Sequence, residues 1–526
     1  MSESLAGVFR QTARSFGDRP AVVGPGGTVS YAELDSMSDD IAATLRSVGA
    51  SDGARVGIFR RKDVGTVASI YGALKAGAAY VPIDTKMGPN RLAAVLNDAG
   101  LAALCVEPAL GQRLKALATD GLSPWLADAS EHGTILSFPG RSASPPAGDG
   151  ASPAGSPPAY VLYTSGSTGV PKGVQHTHAS ALAFVSWAAD EFGVTSNDRL
   201  SCHAPLHFDL TTFDLFVAAM TGACVVLVPD DLAIFPLQVA SLIEAERITV
   251  WYSVPFALIQ LLQHGRLAGR RLALREVIFA GERFPPAQLR QLASVLPEVR
   301  LTNLFGPTET NVCTYHRLTP DDVASDEFCP IGMPCPYTLV AVVDEAGREV
   351  APGETGELLV GGGSVMTGYL NRPELNERVF VTRMTDGKPE RFFRTGDLVT
   401  TPEAGPIRFH GRGDRQVKVR GFRIELDEIE AALANCAGVV AAAAWVEQDG
   451  HGFAEVRAAV SVDPASAPPT ADELILQLRR HLNQAAVPAR ATVLSDLPRT
   501  ANGKVDYAAL AKSARQSPGG FPGQKE

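Results

Sequence analysis

Short apolar segments alternate with helix-patterned ones through the first 300 residues, and polar clusters follow directly after the apolar segments. Tyr31 to Val48 carries apolar residues at helical spacing, Arg55 to Phe59 reads as a strand, and Val64 to Lys75 is helical again. A second series has short strands at Cys224 to Val228, Ile248 to Trp251, Val277 to Phe279 and Leu301 to Leu304. Strands that alternate with helices predict a parallel, helix-covered sheet. Ligands of such sheets bind beyond the carboxyl ends of the strands, so the polar clusters there predict a shared crevice.

The length of 526 residues exceeds one ordinary core and predicts two or more domains. From Leu339 to Gly411, Gly-punctuated strands predict a small β-rich subdomain, and from about Asp414 the pattern returns to α+β alternation. The fold class is therefore α/β: an N-terminal part, residues 1–413, of two helix-covered sheets plus the β-rich subdomain, then an α+β C-terminal domain, residues 414–526. The Pro/Gly/Ser-rich run from Pro139 to Pro158 reads as a mobile surface connection, and Asp463 to Pro469 is a second Pro-containing link.

A formal net charge of -10 with no Lys/Arg-rich block argues against a general nucleic-acid binder. The N-terminus does not read as a signal peptide, and the apolar-rich runs at Leu215 to Val228 and Ala437 to Val446 are broken or too short to cross a bilayer. A cytoplasmic location is expected. Seven cysteines, Cys105, Cys202, Cys224, Cys313, Cys329, Cys335 and Cys436, form no CxxC pair and fit reduced thiols. The pairs His176/His178 and His203/His207 lack metal-ligand partners at recognisable spacing and read as polar loop histidines.

Tyr163-Thr-Ser-Gly-Ser-Thr-Gly-Val-Pro-Lys-Gly173 packs small and hydroxylated residues before a lysine. Its glycines let backbone N–H groups converge on an anion, and the hydroxyls of Thr164, Ser165, Ser167 and Thr168 and the charge of Lys172 add to that grip. A surface linker is the competing reading, because no Ser or Thr follows the lysine as in a Walker loop. Asn303-Leu-Phe-Gly-Pro-Thr-Glu-Thr310 adds a turn with an aromatic able to stack on a base and a carboxylate able to hold magnesium. Phe393-Arg-Thr-Gly-Asp397 adds an acid suited to ribose hydroxyls.

In this order the three motifs resemble the adenylate-forming superfamily of acyl-CoA synthetases, luciferases and amino-acid adenylation domains. The likeness continues through Tyr31-Ala-Glu-Leu34, Leu74 to Asp84, His207-Phe-Asp-Leu-Thr-Thr-Phe-Asp214, Gly356-Glu-Leu358, Gly368-Tyr-Leu-Asn371, Gly411 to Gly421 and Asn502-Gly-Lys504. One departure lies at Asp84-Thr-Lys-Met-Gly-Pro-Asn-Arg91, which lacks the usual second proline after the acid.

The resemblance implies ATP and Mg2+. It implies that Thr164 to Lys172, including Gly166 and Gly169, close over the β- and γ-phosphates. Phe305 would flank adenine, with Gly281, Glu282, Asn303 and Gly306 on the nucleotide side. Thr308 would meet the α-phosphate, Glu309 would hold magnesium, and Asp397 would bind ribose, helped by Arg412. Lys504 would bridge substrate carboxylate and phosphate as the catalytic lysine. In the thiol-transfer half-reaction the C-terminal domain would turn about a hinge at Asp414 and bring in the face bearing Lys418.

Asp209 resembles the acid that pairs with an amino-acid ammonium; a helix N-cap before Leu210 to Phe216 is the competing role. The implied pocket residues Leu210, Phe213, Tyr252, Ile278, Ala280, Leu304, Val312 and Cys313 carry no second charge and favour a compact hydrocarbon side chain. This lining looks most like that of stand-alone prolyl-adenylating ligases, with Phe213 and Ile278 in place of expected leucines. L-proline leads. A proline analogue, another small cyclic amino acid, a β-amino acid and D-alanine stay open, as do an acyl-CoA synthetase and an inactive nucleotide-binding homologue. The expected acceptor is a separate carrier protein with a phosphopantetheine arm, with coenzyme A second.

Overall fold

The computed structural model describes residues 4–138, 156–166, 171–448, 453–462, 469–500 and 505–516. The connection expected at 139–158 falls mostly outside them, as do most of the link at 463–469 and Ser167, Thr168, Gly169 and Lys504. The chain packs as two units, one built from 1–85, 96–163 and 173–413, the other from 86–95, 164–172 and 414–526.

Two large sheets dominate the first unit. The nine-stranded sheet runs Met333–Pro334, Thr314–Arg317, Arg300–Phe305, Glu276–Ala280, Val250–Ser253, Arg199–Cys202, Cys224–Leu227, Pro20–Gly24, Gly27–Ser30. Its middle strands pair in parallel and its two ends antiparallel. The eight-stranded sheet centres on Pro158–Thr164, Ala79–Pro82, Arg55–Phe59 and Ala103–Val106, which are parallel, and it too has antiparallel edges. The sheets are therefore mixed where the alternating pattern predicted parallel ones. The edge strands come from hairpins and returning loops, which carry no helix for the pattern to register.

The expected helices and strands form for local reasons. Ser30 and Glu33 make a reciprocal capping box that starts the helix Tyr31–Ser47. Asp63 accepts from Thr66 N and starts Val64–Lys75, where nearly every side chain is buried. One apolar cluster draws on both sheets and on the helices Leu5–Ser15, Tyr31–Ser47, Val64–Lys75 and His178–Glu191. The β-rich subdomain is a five-stranded antiparallel sheet of Thr338–Val343, Thr355–Gly362, Lys388–Thr400, Phe380–Thr385 and Arg408–Arg412.

In the second unit a hairpin, Gln416–Val419 with Phe422–Glu425, accompanies a three-stranded sheet of Val439–Gln448, Ala454–Val462 and Arg490–Leu494. The helices Leu426–Ala434 and Ala471–His481 supply Ile429, Leu433, Leu474 and Leu478 to its core. Arg91 pairs with Glu428 inside this unit, both side chains almost fully buried. Burial pushes the Glu428 carboxyl up, and the Arg91 charge opposes that shift.

Candidate active site

Four adjacent parallel strands of the nine-stranded sheet end at Cys202, Ser253, Ala280 and Phe305. Beyond these ends lie Asp209, Gly281 and the turn from Gly306 to Thr310. Leu210, Phe213, Tyr252, Ile278, Ala280, Leu304 and Val312 belong to a single buried cluster, and Cys313 lies in the adjoining one. The phenol of Tyr252 is pushed up chiefly by burial, with Asp209 and Asp214 adding to the shift, so it is neutral at physiological pH.

Asp209 stands at the N-cap position of the short helix Leu210–Thr212, yet its backbone is already helical and its side chain caps nothing. Its Oδ2 instead accepts the Thr308 hydroxyl at 2.7 Å. The regular helix expected to Phe216 is interrupted by a π-helical turn over Phe213–Val217. Such turns often mark functional sites. Periodicity at 3.6 residues does not resolve a one-residue widening of a helix. Phe213, the first residue of the turn, is fully buried and meets Tyr252 edge-on, ring centroids 5.4 Å apart.

The turn after Arg300–Phe305 requires glycine at position 306, where a Cβ would fall 1.7 Å from the Asn311 carbonyl oxygen. Gly281 needs its freedom for a different reason, a φ of +94°. Glu309 is wholly buried, and the Tyr369 hydroxyl donates to its Oε1 at 2.5 Å. The Thr308 carbonyl accepts from His176 Nε2 at 2.8 Å. Asn303 spends an amide hydrogen on the Pro330 carbonyl, and Phe305 packs on Phe409. Glu282 is partly exposed next to Gly281.

Asp397 and Arg412 face each other across a strand pair and close a buried ion pair at 2.5 Å. Arg412 also donates to the Thr395 carbonyl at 3.0 Å. A guanidinium held this way orients the carboxylate.

His176 and His178 differ from the polar loop residues predicted, whereas His203 and His207 lie half-buried in the loop after Arg199–Cys202, as read. His176 lies on the strand Lys172–Thr177, His178 opens a helix, and both are buried. Burial lowers both imidazoles to about 4 and that of His203 to about 3. They are neutral scaffold groups: His178 Nδ1 accepts from Leu5 N at 3.2 Å. From the sequence, His176 has no role beyond that of a loop histidine, and Tyr369 has none. A histidine inside a strand pattern and a tyrosine inside the Gly368-Tyr-Leu-Asn371 motif were the available signals. The cysteines are free thiols, all buried except the half-buried Cys329.

The remaining predicted residues lie in the second unit. The Ser165 hydroxyl donates to the Arg423 carbonyl at 2.7 Å, Lys172 pairs with Glu425 at 3.6 Å, and Thr164 Oγ1 is buried with no hydrogen-bond partner among the described residues. Gly166 adjoins Ser165. Lys418 stands on the strand Gln416–Val419, half-buried, opposite Arg423. Asp414 is exposed, and its Oδ1 accepts from Gln416 N.

Residues 9–370 match the family model described as AMP-binding enzyme, and residues 428–504 match the AMP-binding enzyme C-terminal domain. The chain belongs to the AMP-binding enzyme family. It is 38% identical to an L-proline--[L-prolyl-carrier protein] ligase of Streptomyces coelicolor, over 97% of this chain and 96% of that one. It is 36% identical to a ligase of the same name from Pseudomonas fluorescens, over 97% and 98%. Among solved structures it resembles the Vibrio cholerae adenylation domain AlmE in complex with glycyl-adenosine-5'-phosphate. That match has a TM-score of 0.81, 25% identity, and coverage of 97% and 98%. The chain is thus an AMP-forming adenylation enzyme of the amino acid:carrier-protein ligase family, which uses ATP. No helix among the described residues is long and apolar enough to cross a membrane.

Proposed function

We propose that this enzyme activates a small amino acid, L-proline first among candidates, and passes it to the phosphopantetheine thiol of a carrier protein. The observation that carries the reading is Asp209, bonded to Thr308 at the strand ends beside the buried apolar cluster formed by the assigned pocket residues. A carboxylate there is stabilised by an ammonium partner, and the apolar walls suit a compact ring. The names of the two ligases cited above support proline. Phe213 and Ile278 tune the pocket, and apolar pockets separate neighbours differing by a methylene by only about 1 to 3 kcal/mol.

A carboxylate oxygen of the substrate attacks the α-phosphorus while the bond to the departing pyrophosphate breaks, giving aminoacyl-AMP. The carrier thiol, losing its proton, then attacks the acyl carbon, and AMP leaves. The first step needs alignment and charge neutralisation more than acid–base help. Asp397, held by Arg412, is assigned to the ribose hydroxyls, Phe305 to adenine, and Thr308 to the α-phosphate. Glu309 is a single buried carboxylate, and Mg2+ is commonly held by one or two carboxylates with phosphate oxygens completing its shell, so the residue fits that ion. When bound, Mg2+ would neutralise phosphate charge. Lys172, Lys418 and Lys504 keep the roles implied by resemblance, and the boundary between adenylating core and C-terminal domain is placed at 413/414.

ATP–pyrophosphate exchange across L- and D-proline, ring-size analogues, alanine enantiomers and small β-amino acids tests the reading. L-proline should drive the fastest exchange. A different preferred amino acid would keep the chemistry and replace the substrate; no exchange with any of them would sink the proposal.

A further inference from the structure

Asn311 directly follows the turn from Gly306 to Thr310, and its surroundings are unusual. Its φ is +53°, a left-handed conformation that costs a non-glycine residue free energy, though Asn bears it better than most. Its Oδ1 accepts from Val312 N at 2.8 Å, and its backbone carbonyl presses on Gly306 so closely that no other residue fits there. Its Nδ2 is buried without a hydrogen bond of good geometry, and so is the hydroxyl of Tyr160. The two belong together: the polar side chains facing the Tyr160 phenol are those of Asn311 and Thr212, and the Asp209 charge lies near enough to perturb it.

The next two residues, Val312 and Cys313, are buried and belong to the pocket assigned above. The Tyr337 hydroxyl holds the Val312 carbonyl at 2.7 Å, and Cys313 N donates to the Phe305 carbonyl at 2.8 Å. On the opposite side Thr212 precedes Phe213 and follows Asp209 by three residues. Asn311 therefore stands between the two segments, its Oδ1 bound to Val312 N and its unpaired amide near the equally unpaired phenol of Tyr160. A strained backbone and imperfectly paired buried groups persist only where their surroundings enforce them, and such places cluster at binding sites.

We infer that Asn311 is a positioning residue for substrate selection: with Tyr160 it fixes the spacing between the Val312–Cys313 wall and the Asp209-bearing segment, and so the ring size the pocket accepts. This rests on the pocket assignment made above. Two variants separate the parts. Asn311→Gly keeps the left-handed conformation and removes the amide; Tyr160→Phe removes one hydroxyl from a side chain of unchanged shape.

The measurement is exchange kinetics with L-proline and with its four- and six-membered ring analogues, with ATP varied separately. Each variant should raise the KM for L-proline about tenfold and narrow the discrimination between ring sizes, with the KM for ATP within about twofold of the parent. The double variant should cost no more than the worse single one, because both act through one contact. Unchanged proline KM and ring selectivity, even alongside a lowered Tm, would make Asn311 a stability residue and overturn the inference. Additive effects would also overturn it, by separating the two residues. Phe213→Trp, which fills the pocket directly, is the control: if it leaves the proline KM unchanged the pocket assignment fails and the inference with it, whereas a change there without one at Asn311 refutes the inference alone.

Discussion

The two large sheets share a plan of parallel central strands flanked by antiparallel edges, yet they treat the polar residues beyond their strand ends differently. After Arg55–Phe59 in the eight-stranded sheet, Arg61 pairs with Glu107 and Asp63 caps the next helix. Lys62 gives its ammonium to the carbonyls of Cys202, His203 and Val228 and to Asp230. Those charges are consumed by the scaffold. After Arg199–Cys202 and Arg300–Phe305 in the nine-stranded sheet, Asp209, Thr308 and Glu309 converge beside a buried apolar cluster. The loop beyond each strand end, rather than the sheet, therefore decides between scaffold and candidate site, and within the eight-stranded sheet the strand Pro158–Thr164 leads into the predicted phosphate loop.

The sharpest way to break this contrast is Asp209→Ala. It should lower kcat/KM for the amino acid by about a thousandfold, roughly 4 kcal/mol, with little change in Tm, as read by pyrophosphate exchange. A smaller effect is expected from Arg412→Met, which removes the guanidinium facing the buried Asp397 carboxylate. About 3 to 4 kcal/mol of stability should be lost in denaturant titration, together with a raised KM for ATP. Leu104→Ala, in the fully buried strand Ala103–Val106 of the other sheet, should cost about 3 kcal/mol of stability and leave both KM values unchanged.

The smallest expected effect is one of pH. His176 joins the two regions, since it stands in the eight-stranded sheet and binds the carbonyl of Thr308. Its folded-state pKa lies near 4, below the ordinary 6.5, so between these values the unfolded chain binds the extra proton. Its contribution is complete above pH 6.5 and is lost as pH falls toward 4, about 3 kcal/mol across the window and about 2 kcal/mol of that by pH 5. Denaturant titrations at pH 7.5 and 5 should show that loss, and His176→Gln should reduce it.

Strand and helix placement was largely legible in the sequence because burial enforces periodicity: Arg55–Phe59 and Val64–Lys75 fall where the pattern put them, and Glu276–Ala280 begins and ends within one residue. The residues gathered at the strand ends were legible through their motifs, since Gly306 and Gly281 answer to backbone requirements visible as glycine. What escaped depended on tertiary neighbours. The π-turn at Phe213–Val217 changes no residue's polarity, so no pattern marks it. His176 and His178 looked like loop residues because a buried neutral imidazole and an exposed one are written with the same letter. Asn311 took meaning only once Tyr160, far away in the chain, was seen beside it.

The central claim is that Asp209 selects an amine-bearing acid. Pyrophosphate exchange by the unmodified enzyme with L-proline and with cyclopentanecarboxylate, the same ring without the nitrogen, tests it most directly. Strong exchange with L-proline and none above background with the carbocycle is the predicted result; equal exchange with both would contradict it.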